Sequence, residues 1–78
     1  MKPYHAAFVQ GTNVTIRERG DLEEFRRNWH HHHPLTPEQL AFAGQSAKVV
    51  SVSFYHGGDP LYALEGIPGM WHETCLKA

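Results

Sequence analysis

Apolar and polar residues alternate over two stretches of the chain, and between them the alternation gives way to helical spacing. In Gly11-Thr-Asn-Val-Thr-Ile-Arg-Glu-Arg19, Val14 and Ile16 fall on one side and Thr15, Arg17 and Arg19 on the other. This period of two predicts a half-buried first strand opened through a glycine turn. Gly20-Asp21 ends it, and Asp21 with Glu24 three residues on forms an N-cap and capping-box pattern. The short helix beyond this cap places Leu22, Phe25 and Trp29 on one face and leaves Glu23, Glu24, Arg26 and Arg27 to solvent. It stops near His32, because Pro34 drives His33 out of the α region.

A second helix start is written in Thr36 as N-cap, Pro37 at the first helical position and Gln39 completing a capping box, with Leu35 and Leu40 placed as a hydrophobic staple. Leu40 and Ala43 face inward and Gly44 supplies the left-handed stop. Only about two turns long, this helix needs packing on a sheet to hold it.

From Lys48 the alternation returns as a β-meander. Val50, Val52 and Phe54 share the expected core face of a strand, opposite Val49, Ser51, Ser53 and Tyr55. Gly57-Gly58-Asp59 turns the chain, Pro60 opens the return strand, and Tyr62 and Leu64 share a face of it. Pro68-Gly69 reads as the middle of a type II turn leading to a short last strand from Met70 to Leu76. A two- or three-stranded ribbon is marginal alone, so the first 47 residues must cover it.

Length and composition narrow the class. At 78 residues the chain reads as a single domain, 1–78, and a domain this small buries only about 60% of its unfolded surface. Hydrophobic residues at 41% and charged residues at 19% exclude wholesale disorder. The net charge of -1 gives no global pull toward nucleic acid or anionic lipid, and Arg17, Arg19, Arg26 and Arg27 are offset by Glu18, Glu23 and Glu24. No window approaches the roughly 18 apolar residues of a membrane span. Neither nucleic acid nor membrane is therefore an expected partner. The single cysteine, Cys75, cannot form an intrachain disulfide, and the amino-terminal residues lack the apolar run of a signal peptide, so a reducing cytoplasm is the expected compartment.

The order strand, helical excursion, meander is the layout of a small, mainly β, SH3-like barrel with a two-helix insertion after its first strand. The insertion covers about 21–44 and the meander 46–76. Gly11-Thr-Asn-Val-Thr-Ile resembles the first-strand opening of the nitrile hydratase beta subunit barrel. Pro60-Leu-Tyr-Ala-Leu followed by Met70-Trp-His-Glu73 resembles that family's Pro-Leu-Tyr strand and its following tryptophan and acidic residue. Such subunits are similar to a wider group of electron-transport accessory barrels that dock against another subunit. The resemblance implies a protein partner and does not imply catalysis, since in that family the metal and its cysteine cluster belong to the alpha subunit. It carries over no catalytic residue.

The chemistry-bearing residues are histidines. His30, His31, His32 and His33 come directly after Trp29. Neighbouring imidazoles point apart on extended or helical backbone, so one ion could take two of them with remote ligands; His30, His32, His56 and His72 are the candidate set for Zn, Co or Ni. The plainer reading is a solvated connection between two helices that meets metal only incidentally. His72, Glu73 and Cys75 form a second constellation, in which His72 and Cys75 share a face only on a helical turn. A buried cysteine closing the barrel is the plainer reading there.

The expected function is a small accessory or interaction module, with a histidine-rich metal-binding or metal-delivery protein as the alternative and an enzyme using Cys75 and His72 behind both. Trp29, His31, His33, His56 and Asp59 are the candidate docking residues, because loops carry function more often than strands. The partner is another subunit, or a second copy of the chain.

Overall fold

The computed structural model describes residues 6–55 and 58–78. In chain order the elements are β1 (Asn13–Ile16), α1 (Arg19–Asn28), a 3-10 helix (Pro37–Phe42), β2 (Ser46–Tyr55), β3 (Asp59–Leu64), β4 (Ile67–His72), a 3-10 turn (Glu73–Cys75) and β5 (Leu76–Lys77). Among the described residues the five strands form one antiparallel sheet in the order β4-β3-β2-β1-β5. The first strand therefore lies between the second and the last. The described residues form a small, mainly β fold with one α-helix.

Strand β2 belongs to both halves of that sheet. Its beginning pairs with β1, Ala47 opposite Val14, and its remainder pairs with β3, Val52 opposite Tyr62. The register shifts between Val49 and Ser51, so Val50 is the extra residue of a β-bulge. A one-residue slip moves side chains to the other face. Val49 is consequently buried and Val50 is 46% exposed, which corrects the expected core set of Val50, Val52 and Phe54. Beyond the bulge the expected phase returns: Val52 packs on the core and Phe54 is half-buried. Of the expected turn at Gly57-Gly58-Asp59, Gly57 lies outside the described residues and Asp59 already belongs to β3.

A second shift corrects the expected turn at Pro68-Gly69. The chain reverses at Glu65 and Gly66, whose φ is +74°, while Pro68 and Gly69 lie inside β4 where Leu64 pairs with Ile67 and Ala63 with Met70. The expected strand from Met70 to Leu76 is likewise broken by the 3-10 turn, which redirects the chain so that Leu76 pairs with Ile16.

Helix α1 begins three residues earlier than the Asp21 cap predicts. Glu18 is its N-cap with no side-chain cap bond, and Asp21 sits in the first turn, where its charge favours the helix dipole. The helix also ends sooner, at Asn28, with Trp29 extended. The Thr36 capping box forms as predicted, Gln39 N donating to Thr36 Oγ1 at 3.4 Å and Thr36 N to Gln39 Oε1 at 2.9 Å. The residues it caps form a 3-10 rather than an α-helix, six residues being too few to favour either strongly. Gly44 ends this excursion with φ +80°.

Val14, Ile16, Leu22, Leu35, Leu40, Val49, Tyr62, Leu64, Trp71, Cys75 and Leu76 form the core. Burying a side chain such as Leu22, Ile16 or Leu76 contributes roughly 1.5–3 kcal/mol each. A polar tie closes one side: Tyr62 Oη donates to Glu73 Oε1 at 2.6 Å, and Ala7 N donates to the same oxygen at 2.9 Å. Burial, then the Glu73 carboxylate, push the Tyr62 phenol up to about 12.

Gln39 ties the insertion to the sheet, since its Nε2 donates to Met70 O at 3.0 Å. A Cβ on Gly69 would stand 3.0 Å from that Nε2 and 3.3 Å from Cδ, on a backbone with φ +90°. Gly69→Ala is expected to cost about 1–3 kcal/mol through strain and displacement of Gln39. Urea unfolding checks it, and an unchanged midpoint would remove Gly69 from this role.

Candidate functional site

Strand alternation divides β2 and β3 between two environments. Val52, Tyr62 and Trp71 are register partners on the core face, and Ser53, Leu61 and His72 are partners on the reverse face, which continues to the pair Tyr55 and Asp59. The segment leaving α1 covers this reverse face. Phe25 and Trp29 stack with centroids 5.5 Å apart, and both meet the His72 ring, at 4.9 and 4.8 Å. His72 is 4% exposed, so these rings act as a small second core.

The histidine run is tied down by backbone as much as by rings. Trp29 Nε1 donates to His32 O at 2.6 Å, and His72 Nε2 donates to His33 O at 2.8 Å. His32 then lies flat on Tyr55, centroids 3.7 Å apart and planes 12° from parallel. Its Nε2 reaches Asp59 Oδ2 at 2.9 Å and its Nδ1 faces His33 Nδ1, also at 2.9 Å. A carboxylate can only accept, so Nε2 of His32 carries a proton. His33 itself is left-handed, with φ +49°. Pro34 denies it the right-handed helical conformation, and the left-handed one swings its ring back toward His32. Vicinal imidazoles that extended or helical backbone would splay are thereby brought together.

On the surface, Trp29, His31, His32, Tyr55, Gly58 and Asp59 line one groove. His31 and Asp59 are exposed at it, and His31 meets the Trp29 ring edge-on at 5.0 Å. Of the predicted docking residues, Trp29, His31, His33 and Asp59 therefore lie in one neighbourhood, while His56 is outside the described residues. Tyr55 and Phe25 join them without having been among the candidates. The available signal was Tyr55 on the face opposite the core, at the end of its strand, where it pairs with Asp59.

The predicted metal set comes together only in part. His32 and His72 are neighbours, with ring centroids 5.6 Å apart, but His72 commits Nε2 to the His33 carbonyl, and His30 is exposed. His56 again lies outside the described residues. Among the described residues no group of three or more His, Cys, Asp or Glu side chains is placed to hold a metal ion.

The constellation of His72, Glu73 and Cys75 resolves into three separate structural roles. Glu73 takes the Tyr62 hydroxyl, His72 supports the histidine run, and Cys75 is 1% exposed in the core. Burial pushes the Cys75 thiol up to about 12 against the opposing charge of Arg17. A thiol so held is not a nucleophile at neutral pH.

No protein-family model, no curated protein and no solved structure matches the chain. Among the described residues no helix is long and apolar enough to cross a membrane.

The burial of Cys75 and His72 can be checked in solution. Iodoacetamide should modify Cys75 at least tenfold more slowly in the folded protein than in urea, and equal or faster folded-state modification would show an open thiol. Burial, reinforced by the His32 and His33 charges, lowers the His72 pKa against the opposing effects of the His33 carbonyl and Asp59. The unfolded chain then binds a proton that folded His72 resists, so stability drops as pH falls below about 6.5. His72→Gln, whose amide can still donate to the His33 carbonyl, should flatten that loss between about pH 7.5 and 5.5 in urea titrations. An identical slope in both proteins would assign the loss to other groups.

Proposed function

We propose that this chain is a small accessory module that docks against another protein subunit, built as an SH3-like barrel of the nitrile hydratase beta-subunit type. The strand order supports the barrel reading. A meander whose first strand pairs with both the second and the last, with a 3-10 turn before that last strand, has the strand order of such a barrel, in which the two edge strands β4 and β5 would be the pair that closes it.

The single observation that carries the docking reading is the ring-walled groove of Trp29, His31, His32, Tyr55 and Asp59. Amphipathic rings with polar tips serve interfaces well, because they offer apolar area and a hydrogen bond at little conformational cost. Aromatic-lined grooves of SH3 domains accept extended segments of a partner chain in this way. The groove faces away from the main core, so a partner can occupy it without disturbing the fold.

A photo-crosslinking amino acid at position 31, on the groove, tests this in the native host. Position 65 serves as a control, because Glu65 is exposed at the opposite end of the β3–β4 hairpin. The proposal expects a crosslinked species of discrete mass from position 31 and none from 65. A species of twice the chain mass would make a second copy the occupant. Equal labelling at both positions, or none at either, would contradict docking through this groove.

A further inference from the structure

The histidine run contains an arrangement that docking does not use. His32 Nδ1 and His33 Nδ1 lie 2.9 Å apart while their ring centroids are 5.2 Å apart. The difference is taken up by the two ring radii, so both nitrogens lie on the line joining the rings. Their lone-pair directions therefore point at one another. In the metal-free protein one proton sits between them, and its owner is set by Asp59. That carboxylate fixes the proton of His32 on Nε2, leaving Nδ1 as acceptor and making His33 Nδ1 the donor.

We propose that His32 and His33 form a two-nitrogen site for a monovalent d10 cation of the cuprous type, held in linear coordination, with Asp59 as the carboxylate that orients the inner ring. Three independent features support it. The in-line approach of two imidazole nitrogens is the geometry that a two-coordinate ion needs and that four-coordinate zinc does not. The contact from His32 Nε2 to Asp59 is the carboxylate–histidine arrangement that fixes tautomer and raises ligand basicity around bound metals. The left-handed backbone at His33 is an uncommon conformation for a residue other than glycine, and here it aims the second ring.

The exchange balances without a redox step. The ion takes both Nδ1 lone pairs, the proton on His33 Nδ1 leaves to solvent, and one is taken up at His33 Nε2, so both rings stay neutral. With metal–imidazole bonds of about 2.0 Å the nitrogens must open to about 4 Å. The movement falls on His33, which is exposed, while His32 stays stacked on Tyr55. Asp59 acts as a positioning residue. This site uses no third protein ligand; it shares His32 and Asp59 with the groove, but cation binding by the chain alone needs no docked partner.

Anaerobic competition of the full chain against a chromophoric cuprous chelator, with X-ray absorption at the copper edge, tests it. The wild type is expected to bind one ion per chain and to show the edge feature of linear two-coordinate copper. His33→Asn, in which asparagine tolerates the left-handed backbone, should lose at least about 100-fold in affinity, as should His32→Asn. Asp59→Asn should lose about 10- to 100-fold. His30→Asn, at an exposed histidine outside the groove, should bind as the wild type does. An equal loss in that last variant, undiminished binding in His33→Asn, or a three- or four-coordinate spectrum would overturn the proposal. Circular dichroism of each variant separates lost binding from lost fold.

Discussion

The bulge at Val50 is the constraint on which the rest of the structure depends. Strand β2 must serve β1 with its first half and β3 with its second, and each half must turn its apolar side chains to one core. Unbroken alternation from Ala47 to Phe54 cannot do this. With Val50 set outward as an extra residue, Val49 and Val52 both face inward although three positions apart. The reverse face of the second half is fixed by the same step. Ser53 and Tyr55, with Leu61 and His72 across the ladder, then form a surface that the segment after α1 must cover.

That covering explains the composition of the insertion. Trp29 and Phe25 supply the apolar area over His72, and the backbone carbonyls of His32 and His33 receive the indole and imidazole protons beneath them. A loop held by its carbonyls has its side chains free for other work. His32 uses its ring to bridge Tyr55, Asp59 and His33, while His31 is left at the groove. Docking and cation binding are thus proposed for the outer side of a loop whose inner side is structural.

Much of the fold was legible because local chemistry and tertiary structure agree there. Val14 and Ile16 alternate as a half-buried strand should, and the Thr36-Pro37-Gln39 capping box forms as its residues dictate. The misplaced features are those where a long-range pairing overrides the local signal. Nothing within residues 46–55 marks Val50 as the bulge, since Val49, Val50 and Val52 are chemically alike. Pro68-Gly69 carries every local mark of a turn, yet the reversal at Gly66 and the ladder with β3 place it inside β4. In the candidate site, Trp29, His31 and Asp59, expected as docking residues from their loop positions, line one groove. The convergence of His32 and His33 was not legible, because it depends on a left-handed residue held by a carbonyl bond from His72, 39 positions away.

Histidine ring nitrogens report this clamp directly. A long-range 1H–15N correlation spectrum at about pH 7.5, above the ordinary histidine pKa, should show His32 and His72 as single Nε2–H tautomers, with nuclear Overhauser contacts between the His32 and Tyr55 rings. His30 should average between tautomers in the same spectrum. Uniform averaging across the histidine run and His72, with no contact from His32 to Tyr55, would contradict a loop fixed on the reverse face of the sheet.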